Sequence, residues 1–510
     1  MGAQRVVVVG AGAGGLAAAL VLAARGLDVL VVEAAAGPGG KLRQVDVGGS
    51  HQDAGPTVFT MRWVFDELFA DVGTQLADHL KVSPVQTLAR HAWGPQARLD
   101  LFADVGRSQD AMAAFAGPAE ARRYGEFCAR AQRTYQTLEH AFLRASRPNP
   151  FSLARRVGWR GLPGLAGIAP FTSLWRALGQ HFSDPRLRQL FGRYATYCGA
   201  SPFLAPATLM LVAHVERSGV WLVEGGMYRI ATALEALLKR RGGQVRYNSA
   251  VTRLLTSGDR VTGVCLAGGE QIAAAAVVFN GDAAALGNGL LGEASERSVA
   301  RVDPARRSLS ALTWNMVTPA RGFPLLRHTV FFSDDYADEF KTIFGASRLP
   351  RDPTVYVCAH DRGDSDGNAD ADARLPSGAE RLLCLVNAPP TADMQSLETA
   401  EIARCEERTF GKLARSGLRL YRDPDNTVVT TPSDFHRMFP ATGGALYGAA
   451  SHGWRASFSR PGSRCGLHGL YLAGGSVHPG PGLPMAVLSG RQAASSLLED
   501  LDRAAGKGRG

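Results

Sequence analysis

Beyond its opening stretch, the 510-residue chain has no apolar run of the roughly 18 residues that a membrane-spanning helix needs. The one uncharged stretch of that length, Val6 to Ala24, is broken by glycines, preceded only by Arg5 and followed directly by a strand-like run, which argues against both an anchor and a secretory signal. Cysteine is scarce. The seven that occur are scattered, odd in number and never in CxxC spacing, which fits reduced thiols in a cytosolic protein and supplies no metal framework. The 59 glycines and 27 prolines follow no repeat period, so the composition is that of an ordinary globular chain with room for about two or three domains. A net charge of +10 comes without any nucleic-acid recognition motif, so a nucleic-acid partner is not expected. Aspartate and glutamate are absent altogether between His140 and Ser183.

What is present begins with Arg5-Val6-Val7-Val8-Val9, a β-branched run suited to a strand buried on both faces. It runs into Gly10-Ala11-Gly12-Ala13-Gly14-Gly15 and then into the Ala/Leu-rich stretch Leu16–Ala24, which reads as a helix. A second strand, Asp28–Val32, ends on Glu33. Strand, glycine turn, helix, strand and acidic tip compose the βαβ unit of a Rossmann-like dinucleotide site. Gly10 permits the tight turn, Gly12 lets the backbone approach a pyrophosphate, and Gly15 lets the helix pack close to the strand. The whole turn, Ala11, Ala13 and Gly14 included, is expected to hold phosphates at the positive end of the helix dipole. Glu33 can accept hydrogen bonds from both hydroxyls of an adenosine ribose and would repel a 2′-phosphate, which disfavours NADP.

Behind Glu33 lies Gly37-Pro38-Gly39-Gly40-Lys41-Leu42-Arg43, similar to the Gly-Gly-Arg/Lys that follows the acid in flavin-binding chains. FAD is therefore the expected cofactor, with Gly40 and Lys41 against it. Asp53-Ala54-Gly55-Pro56-Thr57 is expected to bring the backbone at Pro56 and Thr57 close to the isoalloxazine ring. Near the far end, Gly469–Ala473 reads as a buried strand leading into Gly474-Gly475 and the turn His478-Pro479-Gly480-Pro481-Gly482. The helix that follows, Met485–Leu498, would aim its N-terminus, at Met485 and Ala486, toward the flavin N1–C2=O edge. Ser476 resembles a hydrolase elbow only superficially, because no helix follows it at once.

Between these ends, residues 61–139 read as helices, with Trp63–Phe69 and Glu120–Leu138 amphipathic. The acid-free segment interleaves Arg144, Arg147, Arg155, Arg156, Arg160 and Arg176 with Phe142, Phe151, Trp159, Phe171, Trp175 and Phe182. Cations beside aromatics suit docking at a membrane interface, and a cap over a substrate cavity is the alternative. Ile230–Arg241 reads as a helix, Gln244–Tyr247 as a strand, Ala250–Gln271 as hairpin strands, and Ala276–Phe279 as a strand returning to the nucleotide unit. Strands such as Thr354–Ala359 and Arg381–Val386 mark a second block. Asp361–Asp372 alternates acids without the glycine and glutamate of an EF-hand and reads as a solvated loop. Arg503–Gly510 looks frayed.

Together, Val9–Gly15, Gly39–Leu42, Asp53–Thr57, Gly225-Gly226-Met227-Tyr228 and Leu472–Val487 resemble the bacterial phytoene-desaturase family of carotenoid enzymes over nearly the whole chain. Gln52–Phe65 and Gly474–Gly482 look most like its hydroxycarotenoid branch, of the hydroxyneurosporene and methoxyneurosporene type. The resemblance implies an α/β fold. A Rossmann-like FAD-binding domain with a parallel sheet would be assembled from 1–75, 225–300 and 460–502. A helical substrate and membrane-facing region (76–224), an α+β substrate domain (301–459) and a flexible tail (503–510) would complete it. It implies desaturation in carotenoid biosynthesis: an acyclic carotenoid hydroxylated at C1 gains the 3,4 double bond, hydride leaving to flavin, the cation delocalising over the polyene, and an adjacent proton following. The alternatives are multi-step desaturation of phytoene, a flavin-dependent carotenoid isomerase, an amine oxidase, and a carotenoid-binding protein without activity. The expected partners are the carotenoid, the cytoplasmic face of the membrane as a peripheral surface, and quinone or oxygen as electron acceptor.

Such chemistry asks for an apolar tunnel and positioning more than for a strong acid or base, and a bare charge in the tunnel would be costly. Asp53, Arg62 and His452 are candidates for proton acceptor or positioner, each equally a structural hydrogen-bonder, so no catalytic base is assigned. Many flavin oxidoreductases carry Gly-Asp where this chain has Gly474-Gly475, so a backbone group is expected to replace the aspartate at the ribityl chain. No metal is expected.

Overall fold

The computed structural model describes residues 5–363 and 378–507, except for the side chains of 159–167, 506 and 507. Of the acids expected in a solvated loop, Asp361 is instead buried and paired with Arg381, and Asp364 to Asp372 lie outside the described residues. Arg5–Val9 and Asp28–Val32 form as expected and sit inside a five-stranded parallel sheet. Its order is Gln244–Arg246, Asp28–Val32, Arg5–Val9, Ala276–Phe279 and Leu470–Leu472, so three distant stretches of chain return to one sheet.

Strand side chains alternate between faces, and here both faces are covered, which explains the unbroken apolar runs. Val6, Val8, Val29, Val31 and Val278 pack with residues of the helices Ala13–Ala24, Tyr228–Arg240 and Leu483–Lys507. Val7, Leu30, Val32, Val277 and Phe279 pack instead on an antiparallel sheet of Val251–Ser257, Arg260–Leu266 and Gln271–Ala273.

The helix Ala13–Ala24 is buried all round through Ala23, which its Ala/Leu composition tolerates. Glycine sets its distances. A Cβ on Gly15 would stand 2.1 Å from the Gly10 carbonyl oxygen, so this residue lets helix and strand meet, as the sequence suggests. A Cβ on Gly490, in the terminal helix, would stand 2.1 Å from the Gly14 carbonyl oxygen.

The second layer is a seven-stranded mixed sheet in the order Thr427–Thr430, Ser310–Thr318, Glu380–Ala388, Val355–Ala359, His328–Phe331, Thr87–Trp93 and Ala97–Phe102. One face carries Leu312, Trp314, Met316, Cys384 and Val386 against the helix Thr399–Arg415. The opposite face turns toward the nucleotide sheet. Helices Val105–Ala116, Pro118–Leu138, Leu174–His181, Pro185–Gly192 and Leu211–Arg217 flank it, packed around Phe127, Phe182, Phe191 and Tyr194.

Three further expectations are corrected. Residues 61–139 are not helical throughout: Val82–Pro84, Thr87–Trp93 and Ala97–Phe102 are strands. The alternation Arg98-Leu99-Asp100-Leu101 after the Gly94-Pro95 turn carried that signal, and Leu99 and Leu101 are buried while Arg98 is exposed. The chain does not fray at Arg503, since the terminal helix continues to Lys507 and Arg503 pairs with Glu499 and Asp500. That helix begins at Leu483, before the expected Met485, with Pro484 in the first turn where it needs no N–H partner.

The contact at Gly490 gives a test in which two effects oppose each other. Helix propensity alone favours Gly490→Ala by about 1 kcal/mol. The Cβ, however, meets backbone that cannot swing aside, and overpacking costs about 1–3 kcal/mol. Thermal unfolding should show net destabilisation and weakened retention of the flavin; a stabilised variant would contradict the packing described.

Candidate active site

A cavity of about 1060 Å³ opens at the carboxyl ends of the parallel strands, walled by Val9, Gly10, Val32, Glu33, Phe279 and Asn280. Among the residues singled out in the sequence, Gly12, Ala13, Gly14, Gly40, Lys41, Pro56, Thr57, Gly474, Gly475, Met485 and Ala486 also line it, with Gly10 and Glu33. The far-apart motifs therefore converge on one space. Ala11 and Gly15 do not line it. Ala11 is buried, donating its N–H to Glu33 Oε2 (2.6 Å) and accepting at its carbonyl from Gly39 N (2.8 Å), while Gly15 serves the helix–strand contact. Glu33 is thereby oriented, its other oxygen accepting from Ala35 N (2.8 Å).

No side chain caps the N-terminus of Ala13–Ala24, although the helix is buried and its first residues face the cavity. Asn280 lies over the glycine turn, 2.7 Å from where a Cβ on Gly12 would be, and its Oδ1 is buried with no partner. An uncapped buried helix end and a turn that excludes side chains together fit a phosphate-bearing dinucleotide. The sequence left Asn280 as a strand end; its place at the tip of the strand beside the glycine turn is the signal that could have identified it.

The cavity does hold charge, though not bare charge. Lys41, Arg193 and Arg460 all line the cavity, but each charge is met locally. Lys41 Nζ donates to the Leu446 carbonyl, and burial pulls its pKa down against the opposing pull of Asp282. Arg460 donates to the carbonyls of Tyr447 (3.0 Å), Gly475 (3.0 Å) and Ala449 (2.7 Å). Nothing in the local sequence announced Arg460. Arg193 donates to Tyr197 Oη (3.4 Å), and Tyr197 and Tyr194 both donate to buried Glu216.

The three proton-acceptor candidates resolve as structural. Asp53 accepts from Met227 N (2.5 Å), Tyr228 N (3.3 Å) and Gln44 Nε2 (3.3 Å), closing the start of the helix Tyr228–Arg240. Arg62 pairs one turn along its own helix with Asp66. His452 Nε2 accepts from Ser201 N (2.9 Å). None of the three lines the cavity.

On the inner face of the seven-stranded sheet, Thr57 Oγ1 and Tyr356 Oη stand 2.7 Å apart, and Tyr356 Oη is 2.7 Å from His328 Nδ1. Toward the surface the wall becomes apolar, with Leu153, Ile168, Phe171 and Trp454. Phe171 is 78% exposed yet lines the cavity, and its ring meets Trp454 edge-on, so the acid-free segment forms the mouth. That segment begins within the π turn Glu139–Leu143 and continues through Pro150–Gly167, broken at Gly158, and Leu174–His181. No helix among the described residues is long and apolar enough to cross a membrane.

Comparison with known proteins agrees with this geometry. The profile of flavin containing amine oxidoreductases matches residues 13–498. Hydroxyneurosporene desaturase of Rubrivivax gelatinosus is 55% identical over 500 residues, covering 98% of this chain and 94% of that one. Hydroxyneurosporene desaturase of Cereibacter sphaeroides is 44% identical, covering 98% of each chain. An oxidoreductase from Methanosarcina mazei superposes with a TM-score of 0.59 at 16% identity, over 97% of this chain and 100% of that one, a likeness of fold.

The buried histidines dictate an acid limit. Burial lowers His328 and His360 to about 3, and His452 and His478 to about 4. The unfolded chain takes up these protons near pH 6.5 while the folded chain refuses them, so the full contribution to stability exists above that pH and drains away as pH falls toward 4. Urea unfolding followed from pH 7 to pH 4 should give a midpoint that declines throughout this window. A midpoint that stays level would contradict neutral burial.

Proposed function

Since the chain belongs to the flavin-containing amine oxidoreductase family, and within it to the carotenoid desaturases, we propose that it introduces the 3,4 double bond into acyclic carotenoids bearing a C1 hydroxyl. It is an FAD-dependent oxidoreductase that acts on CH–CH bonds. The near full-length likeness to hydroxyneurosporene desaturases carries this reading, and a cavity with a polar inner end and an apolar outer wall suits it.

The uncapped N-terminus at Ala13 and Gly14 would hold the pyrophosphate, Glu33 the adenosine ribose, and Gly40, Lys41, Pro56, Thr57, Gly474, Gly475 and the helix start at Met485 and Ala486 the remainder of the cofactor. FAD, when bound, supplies the acceptor for the hydride. The chain's own share is to exclude water, orient the chain of the carotenoid and keep stray charge from the reacting carbons. Buried neutral His328 and a guanidinium neutralised by Glu216 fulfil the last of these. Among the described residues that line the cavity, Glu33 and Lys41 are engaged with backbone groups, which accords with a substrate whose polyene stabilises its own cation.

Competition between 1-hydroxyneurosporene and phytoene at equal concentration, with products separated and their spectra recorded, tests the reading. Only the hydroxylated carotenoid should gain a double bond; stepwise conversion of phytoene with the hydroxylated carotenoid untouched would make the chain a phytoene desaturase.

The mouth supports peripheral association with the cytoplasmic face of a membrane. Phe151 is 81% and Phe171 78% exposed, Arg155 and Arg156 are exposed beside them, and the segment holds no acid to oppose anionic lipid. A hydrophobic substrate would then pass from the bilayer to the cavity without crossing water. Replacing Arg155 and Arg156 with Gln should weaken partitioning onto anionic liposomes about fivefold per charge at low salt. Equal partitioning of the two proteins would leave the segment as a cavity cap alone.

A further inference from the structure

We infer that Thr57 and Tyr356, backed by His328, form the pocket that reads the C1 hydroxyl and so fixes which bond of the carotenoid is oxidised. This rests on the substrate class proposed above and names the residues that would recognise it.

A polyene held only by apolar burial can slide along its tunnel, since each displaced carbon is replaced by a like one. Register needs a polar handle. In a 1-hydroxycarotenoid the oxygen is only three bonds from C3, so whatever binds it must border the cofactor end of the cavity, not the mouth. Thr57 meets that condition. It follows Gly55-Pro56, where a Cβ on Gly55 would stand 2.0 Å from the Lys41 carbonyl oxygen, so this stretch is pressed against the glycine-rich loop of the nucleotide end. Thr57 and Tyr356 both line the cavity.

Their hydrogen bonds form a relay that ends toward the cavity at Thr57, while at its other end His328 Nε2 is buried without a partner. His328, 4% exposed, has its Nδ1 2.7 Å from Tyr356 Oη, which in turn is 2.7 Å from Thr57 Oγ1. Burial and the Arg327 cation keep the imidazole neutral, so Nδ1 either donates or accepts, according to tautomer. If Nδ1 accepts, Tyr356 donates to it, Thr57 donates to Tyr356, and Thr57 Oγ1 is left as an acceptor facing the cavity. If Nδ1 donates, the order reverses and Thr57 is left with a hydroxyl proton to give. A hydroxyl on the substrate both donates and accepts, so it completes the relay in either direction. A hydrocarbon terminus completes it in neither and leaves a polar group facing carbon.

The cavity holds other polar side chains, of which Thr313 Oγ1 is buried without a partner whereas Tyr197 is already engaged. Tyr197 gives its proton to Glu216 Oε1 (2.9 Å) and accepts from Arg193 (3.4 Å), so it offers less to a substrate. Sites built to bond a substrate hydroxyl reject the analogue lacking it by up to about 10⁴–10⁵.

The test compares kcat/KM for 1-hydroxyneurosporene and for neurosporene, which lacks the hydroxyl, in the flavin-loaded enzyme and in the variants Tyr356→Phe and Thr57→Val. The unmodified enzyme should prefer the hydroxylated carotenoid by at least about 100-fold. Each variant should lower that ratio about tenfold or more, with the loss concentrated on the hydroxylated substrate and product spectra showing double bonds at shifted positions. A purely structural role would lower both substrates alike and leave the ratio intact. Should either variant fail to retain flavin, the other carries the measurement, with both substrates compared on the same flavin-loaded fraction. No preference in the unmodified enzyme would overturn the substrate reading and the pocket together; a preference that survives the substitutions would overturn the pocket alone.

Discussion

Two helices from opposite ends of the chain meet through a pair of glycines, and the site exists because they can. Gly490 presses on the Gly14 carbonyl at a distance that no side chain could share. That contact sets the starts of Ala13–Ala24 and Leu483–Lys507 on one cavity, each presenting the positive end of its dipole. Sheet order does the rest. With Ala276–Phe279 and Leu470–Leu472 paired beside Arg5–Val9, the glycine turn, Asn280 and Gly474 arrive together although hundreds of residues separate them in sequence. A Cβ on Gly474 would stand 2.8 Å from Asn280 Nδ2, so the amide side chain is held between the two glycine turns.

Around this centre several cations are answered by backbone carbonyls or tyrosine. Arg460 is answered by three carbonyls and Lys41 by one, while Arg193 and Glu216 are joined through Tyr197. Burial works against the charge of Arg193, yet Tyr197, Glu216 and Tyr194 outweigh it and raise its pKa. Carbonyl dipoles satisfy a cation without placing an opposite charge near the reacting carbons, which suits the oxidation of a hydrocarbon whose transient positive charge must stay on the polyene.

The nucleotide half was legible because its rules are local and chemical. A β-branched run, glycines at fixed spacing, an Ala/Leu helix and a terminal acid each have one physical use, and the strands fall at the expected residues while the helix starts earlier, at Ala13 within the glycine turn. The substrate half was not, because long-range pairing decides it. Thr87–Trp93 lies parallel to His328–Phe331, a partner more than two hundred residues away, and the alternation in Ala97–Phe102 was obscured by the helical stretches around it. Tyr356, His328 and Arg193 carry no motif at all. They become a site only when the seven-stranded sheet turns its inner face to the cavity. Asp53 illustrates the converse: an acid within a cofactor-like motif whose carboxylate closes a helix and accepts from Gln44 instead of facing the cavity.

The two readings of the acid-free segment, surface and cap, also stop competing once its position is known. A side chain that is largely exposed and yet lines the cavity, as Phe171 is, must belong to an entrance. For a substrate that dissolves only in lipid, an entrance is useful where lipid is, so the features that would seat the segment on a bilayer and those that would shape a doorway are the same aromatic and basic residues. Polarity is then graded along the cavity: apolar at the doorway, hydroxyl-bearing at Thr57 and Tyr356, and phosphate-binding at the glycine turn. A rod-like molecule with one polar end would enter such a gradient in only one direction without leaving a polar group unpaired, and under the proposed reading this orientation, more than any acid or base, is the chain's share of the reaction.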